Sequence, residues 1–312
     1  MICTHGVPSL AVSRDRGHGK RQYFALMKSH RYALADVFTD KPLAGNQLAV
    51  FLNAQEMDES LLQPLAREMN LSETVFVFPP EQGGIARVRY LTTVEELDFA
   101  GHPTLGTAAI IANERFPADE EVELVLETRR ANVLVTIRRE GTRFTGWMTQ
   151  PIPDIRRWDK DAELLSVLGV KQSRLPIDVY DNGIQHLYVT LDDPSEVLSI
   201  VPDFPALGRV CGPTRINVFA KSDGAYTSRM FSPFDVGVPE DPACGSAAGP
   251  LAAHLLRHGE VESGSEVTIS QGEKVGRPST LYAIAESDSN ELREVRVGGT
   301  TIILGNGVLA FE

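Results

Sequence analysis

A chain of 312 residues that is 42% hydrophobic and 23% charged has the make-up of a globular protein with room for two domains of ordinary size. Its formal net charge of −12 argues against nucleic acid as a partner, because phosphate binding needs a basic surface. The cysteines, Cys3, Cys211 and Cys244, stand in no disulfide or metal-ligand spacing, and no apolar run approaches the roughly 18 residues needed to span a bilayer, so a reducing cytoplasm and no membrane partner are expected.

Residues 1–31 read as a flexible extension. The first 26 lack the apolar core of a signal peptide, which favours a start-site artefact with Met27 as the natural beginning over an amphipathic targeting peptide. From Tyr32, YALADVFTD is a strand, KPLAGNQ a turn containing Gly45 and Asn46, and LAVFLN a second strand, together a hairpin. Residues 57–69 show helical spacing behind Asp58 as N-cap. ETVFVF (73–78) and ARVRYLTT (86–93) are strands, and ELDFAGHPTLGTAAII (96–111) runs from a polar loop through Gly101 into an alanine-rich helix. VELVLETR, NVLVTIRRE and FTGWMTQP continue the β pattern and close a first lobe over 32–150.

The second lobe, 151–299, opens with a helix in DAELLSVLGV that stops at Gly169. GIQHLYVTLDD is a strand and PSEVLSIVPDFPALGR a helical or irregular stretch. INVFAK (216–221) and TSRMFSP (227–233) are strands, and PEDPACGSAAGPLAAHLL (239–256) is another loop, glycine and helix. The chain finishes as strands joined by glycine turns, with 300–312 placed to return to the first lobe.

One unit therefore occurs twice: strand, strand, loop, glycine, helix. Aligning Gly101 on Gly245 sets Ala100 opposite Cys244, His102 opposite Ser246 and Glu73 opposite Ile216. Internal duplication of the scaffold with asymmetric chemistry is the simplest account. Two helix N-termini facing one cleft would hold a carboxylate or a developing enolate on their free N–H groups and partial positive charge.

Glu73 lies in the tight loop NLSET at the mouth of an apolar strand, where desolvation raises a carboxyl pKa and makes a proton carrier; the competing reading is a loop residue capping a neighbouring N–H. His102 precedes Pro103 in the first turn of a helix, whose dipole keeps an imidazole neutral; a structural histidine bonded to backbone is the plain alternative. Asp241 and Ser246 flank the second helix start and could serve as caps. At Cys244 the helix dipole is expected to lower the thiol pKa, although an isolated cysteine more often just packs. His186 in GIQHLYV points from a strand and could reach the cleft, with a satisfied core histidine as the favoured reading. His254 and His258 have the i, i+4 spacing of two metal ligands but no accompanying HExxH carboxylate, so no metal is assigned. The pieces GNG and VGG lack the order of a dinucleotide site, and no cofactor is expected.

DVFTDKPLAGNQLAVF, AREMNLSETVF, FAGHPTLGTA, GVPEDPACGSAAGPLA and QGEKVGRPS occur in this order and together resemble the phenazine-biosynthesis isomerase (PhzF-like) family from about Tyr32 onward. The resemblance implies an α+β, diaminopimelate epimerase-like fold: two pseudo-symmetric lobes, each a curled, mostly antiparallel sheet around a central helix. It implies Glu73 as the acid/base that moves a proton between ring carbons, and His102, Asp241 and Ser246 as residues that hold the substrate. Gly101 and Gly245 would present backbone N–H groups to the carboxylate of a small substrate, trans-2,3-dihydro-3-hydroxyanthranilate for the founding member. Catalysis without a cofactor, and a homodimer, are implied as well. Two-base epimerases of the related branch carry cysteine at both glycine motifs, whereas here only Cys244 remains beside Ala100. Cys244 is thus a candidate second base, and an amino-acid racemase or epimerase using Glu73 and Cys244 is the runner-up, followed by a non-catalytic ligand-binding protein.

Overall fold

The computed structural model describes residues 28–234, 237–289 and 291–311. Most of the expected extension, residues 1–27, lies outside this range. Residues 28–31 do not belong to an extension: they begin the first strand, where Lys28 pairs with Phe311 and the His30 ring lies 4.7 Å from that of Phe311.

The first half contains β1 (Lys28–Val37), β2 (Asn46–Phe51), α1 (Leu62–Met69), β3 (Glu73–Phe78), β4 (Ala86–Leu91), β5 (Glu96–Leu97), α2 (Gly101–Arg115), β6 (Glu121–Glu127), β7 (Asn132–Glu140) and β8 (Arg143–Thr149). The second contains β9 (Asp154–Arg157), α3 (Asp161–Leu168), β10 (Asp178–Asp181), β11 (Gln185–Leu191), α4 (Pro194–Ser199), α5 (Phe204–Cys211), β12 (Arg215–Ser222), β13 (Ala225–Phe231), β14 (Glu240–Asp241), α6 (Gly245–Arg257), β15 (Glu266–Gln271), β16 (Ser279–Asp288) and β17 (Glu291–Phe311). Local signals set several boundaries. Asp58 accepts from the Ser60 N–H ahead of α1, and left-handed Asn70 and Gly169 end α1 and α3. The stretch left open between 194 and 209 forms two short helices, each with proline in its first turn and an aspartate cap, Asp193 and Asp203.

The duplication is a physical one. β2 and β3 pair in parallel with Leu48 opposite Glu73, and β11 and β12 pair in parallel with Leu187 opposite Ile216. The antiparallel step that follows sets Thr74 against Leu91 in one lobe and Asn217 against Met230 in the other. A second parallel step, β4 to β6 or β13 to β15, skips over the glycine-led helix. In the first lobe the pairings run β1, β2, β3, β4, β6, β7, β8, β17 and back to β1, a closed barrel. β17 is the shared member: its first part pairs with β16 in the second lobe and the remainder with β8 and β1 in the first.

Each lobe is filled by its helix. α2 is buried from Gly101 to Ala112 and α6 from Gly245 to Leu255, which is why these helices are alanine-, glycine- and leucine-rich on every face rather than amphipathic. Pro250 sits inside α6 and cannot donate to the Ser246 carbonyl one turn back. Asn182 replaces the missing donor, its Nδ2 lying 2.9 Å from that oxygen. Gln150 Nε2 and the Tyr188 hydroxyl likewise donate to the carbonyls of Gly245 and Ala247. Across the lobes, Arg277 from the loop between β15 and β16 bonds the Asp36 carboxylate and the carbonyls of Ala44 and Gly45. Burial of Asp36 outweighs the Arg277 charge and holds its carboxyl above the usual range.

The two helices meet at their starts. A methyl group built on Gly101 would lie 2.3 Å from the Gly245 carbonyl carbon and 2.4 Å from the Ser246 nitrogen. Gly101→Ala is therefore expected to destabilise the fold by about 1–3 kcal/mol through overpacking against backbone that cannot yield. Gly208→Ala, in α5, meets nothing closer than a Phe234 ring atom at 3.6 Å and is expected to stabilise by roughly 0.5–1 kcal/mol through helix propensity. Urea unfolding of both variants checks the opposite signs; equal midpoints would refute the packing argument.

Candidate active site

The abutment of α2 and α6 creates the site. Their N-cap residues, Ala100 and Cys244, make no side-chain capping bond, so the first-turn amides of both helices are not capped from those positions. Asp241 and Ser246, readable from sequence as caps, do other work. Asp241 Oδ1 accepts from the Ala243 N–H at 2.7 Å and from Asn46 Nδ2 at 2.8 Å, while the Ser246 hydroxyl lies 3.0 Å from His186 Nε2 and 3.4 Å from Cys244 Sγ.

Glu73, first residue of β3, places Oε2 3.6 Å from His102 Nδ1 at the head of α2. Asn46, at the start of β2, ties the lobes together here. Its Nδ2 lies 3.1 Å from His102 Nδ1 and 3.0 Å from the Ala243 carbonyl, in addition to Asp241, and its Oδ1 accepts from Ser72 at 3.3 Å. Gln271 Nε2 donates to the Asp241 carbonyl, fixing that residue from behind. The structure thus gathers Glu73, His102 and Asp241 about Asn46, with Gly101, Gly245 and Ser246 at the adjoining helix starts.

Burial governs the electrostatics. It pushes the His102 imidazole down to about 3, against a hydrogen bond with the Gln47 backbone that works the other way. His102 is neutral as expected, with desolvation as the largest cause. Cys244 reverses the expectation: burial, then the Asp241 charge, pushes its thiol up to about 12, so the helix start does not yield a thiolate. Met230 and Ala247 pack against it.

Sequence reasoning passes over several of these groups. Asn46 reads there only as a turn residue, although a fully buried amide behind a tight turn has to be satisfied by something distant. His186 is buried as expected of a core histidine, yet it bonds Ser246, and Asn217 Nδ2 lies 3.3 Å from its other ring nitrogen. The His102 and Ala243 partners of Asn46 are 56 and 197 residues away, and those of His186 are 31 and 60 away, separations that no local pattern carries.

His102, His186 and His254 are all held neutral by burial, so each folded pKa lies below the unfolded value near 6.5. Below about pH 6.5 the unfolded chain binds protons that the folded chain does not, and stability is lost as pH falls, by about 1.4 kcal/mol per unit for each histidine. Unfolding at pH 7 and pH 5 is expected to differ by roughly 2 kcal/mol per histidine, and His186→Gln should flatten the slope by about one proton. An unchanged slope would mean that His186 titrates while folded.

The family model described as "Phenazine biosynthesis-like protein" (PhzC-PhzF) matches residues 35–307. The trans-2,3-dihydro-3-hydroxyanthranilate isomerase of Pseudomonas fluorescens is 42% identical over 281 residues, covering 90% of this chain and 99% of that one. The protein of the same name from Pseudomonas aeruginosa is 42% identical over 281 residues, with 89% and 98% covered. Among solved structures, the PhzF-family phenazine biosynthesis protein of Bacillus anthracis superposes with a TM-score of 0.80 at 23% identity, over 91% of this chain and 99% of that one. The architecture is therefore the expected two-lobed α+β fold, and the chain belongs to the phenazine biosynthesis-like, PhzC-PhzF, family as an isomerase.

Proposed function

We propose that this protein is a cofactor-independent isomerase that moves a proton between carbons of a small carboxylate-bearing substrate of the trans-2,3-dihydro-3-hydroxyanthranilate type, and that it acts as a cytoplasmic homodimer. The observation that carries this reading is the Glu73 carboxylate 3.6 Å from a buried, neutral His102, at the junction of two helix starts. Glu73 takes a proton from one ring carbon; the C–H electron pair moves into the adjoining π system; the proton returns from Glu73 at another carbon, so nothing is gained or lost overall. Backbone N–H groups at Gly101 and Gly245 receive the substrate carboxylate, whose charge the two helix dipoles favour. His102, Asp241 and Ser246 orient the substrate, with Asn46 and His186 holding them in place. A racemase with two bases would need Cys244 to act as a thiolate in one of its two directions, which burial of that thiol opposes.

Glu73→Gln is expected to lower turnover of trans-2,3-dihydro-3-hydroxyanthranilate by about 10²–10⁴-fold with affinity largely kept, as loss of a general acid/base does. Unaltered turnover in that variant removes Glu73 from the mechanism. Cys244→Ala is expected to keep most of the turnover; a fall as deep as that of Glu73→Gln would make the thiol the second base. In deuterium oxide, solvent label should enter the ring, whereas exchange at the α-carbon of an amino acid with loss of optical rotation would point to a racemase.

A further inference from the structure

At the opposite end of α6 from the glycine start, His254 and His258 stand one helical turn apart, without the carboxylate of an HExxH motif between them. The fold supplies one from another element. Asp178, the first residue of β10, places Oδ2 2.9 Å from His258 Nε2. His254, His258 and Asp178 each present one potential ligand atom with all three within 4.8 Å of one another. His254 and Asp178 are buried and His258 is partly so.

We propose that these three residues bind a divalent cation of the zinc class, at a site separate from the isomerase centre. Two imidazoles and a carboxylate are the donor set such an ion takes. His254 is already arranged as a ligand. Its Nδ1 lies 3.2 Å from the Tyr180 hydroxyl, and its buried Nε2 has no hydrogen-bond partner among the described residues. With the Nδ1 proton given to Tyr180, Nε2 carries the lone pair, the outer-sphere arrangement usual for a ligating histidine. A tetrahedral zinc ion with ligands at about 2.0–2.2 Å separates them by ~3.4 Å, so the cluster must contract on the His254 side by roughly an ångström while the His258–Asp178 hydrogen bond opens slightly. The last turn of a helix, with its negative dipole end, favours a cation. A cavity of about 440 Å³ bordered by His258, Arg257 and Ser287 reaches the cluster on its His258 side. Arg257, whose Nε is 3.8 Å from Asp178, has 56% of its side chain exposed and can turn away into solvent. A bound ion would join the end of α6 to β10.

Untagged full-length protein, stripped with a chelator, is titrated with Zn²⁺ by calorimetry and with Co²⁺ as a spectroscopic probe. The expected result is a binding site for one ion, a tetrahedral cobalt spectrum without a thiolate charge-transfer band, and an affinity lowered at least ~10-fold in His258→Ala and in His254→Gln. His258 is partly exposed, so His258→Ala is the variant that should fold normally. Zn²⁺ should raise the unfolding midpoint of the wild-type protein and leave that of His258→Ala unchanged. No binding, affinity indifferent to both substitutions, or a thiolate band would each overturn the proposal.

Discussion

The contact between Gly101 and Gly245 is the constraint on which the molecule is organised. Two helices begin at one point because neither first residue carries a side chain; a methyl group on either would collide with the backbone of the other. Bringing two positive helix ends together is unfavourable by itself, each terminus being worth roughly 0.3–2 kcal/mol in its interaction with a nearby charge. Negative groups offset this. Asp241 lies close to the junction and Glu73 lies beside His102, the second residue of α2. The two helix starts together therefore favour negative charge at their junction.

Asn46 and Arg277 convert this meeting of helices into a fixed relation between lobes. Both bridge residues far apart in sequence, and both are satisfied several times over: Asn46 by Ser72, His102, Asp241 and Ala243, and Arg277 by Asp36, Ala44 and Gly45. Buried polar groups are costly when half-satisfied and specifying when complete. Here they hold the turn 38–45 against the loop 272–278, and Asn46, next in line after that turn, is delivered to the site with its amide already oriented. The surroundings of Glu73 are thus set by two networks that each span both lobes.

Much of the scaffold is legible in the chain because its signals are local. Glycine after a polar loop and before alanines marks both central helices, alternating residues mark the strands, and the match of Glu73 with Ile216 reappears as equivalent positions opposite Leu48 and Leu187. What stays hidden is what folding alone juxtaposes. Asn46 acquires its role only when β2 meets the start of α6, and Asp178 joins His254 and His258 across 76 and 80 positions of sequence. Cys244 departs from expectation for a different reason: position at a helix start suggests a reactive thiolate, but complete burial next to a carboxylate is the stronger influence. The first strand begins earlier than expected because β17 extends far enough to pair with Lys28, a fact about the far terminus rather than about residues 28–31 themselves.

β17 has an implication for how the polypeptide matures. It follows the whole second lobe in the chain, yet it fills the gap between β1 and β8, so a first lobe emerging from a ribosome before it has two open strand edges. Completion of that barrel awaits translation of the second lobe, so β17 couples the folding of one lobe to the presence of the other. The same dependence means that the two ancestral-looking halves are no longer separable units: severing the chain between them would leave the first with an unprotected seam that invites association with other unpaired strands.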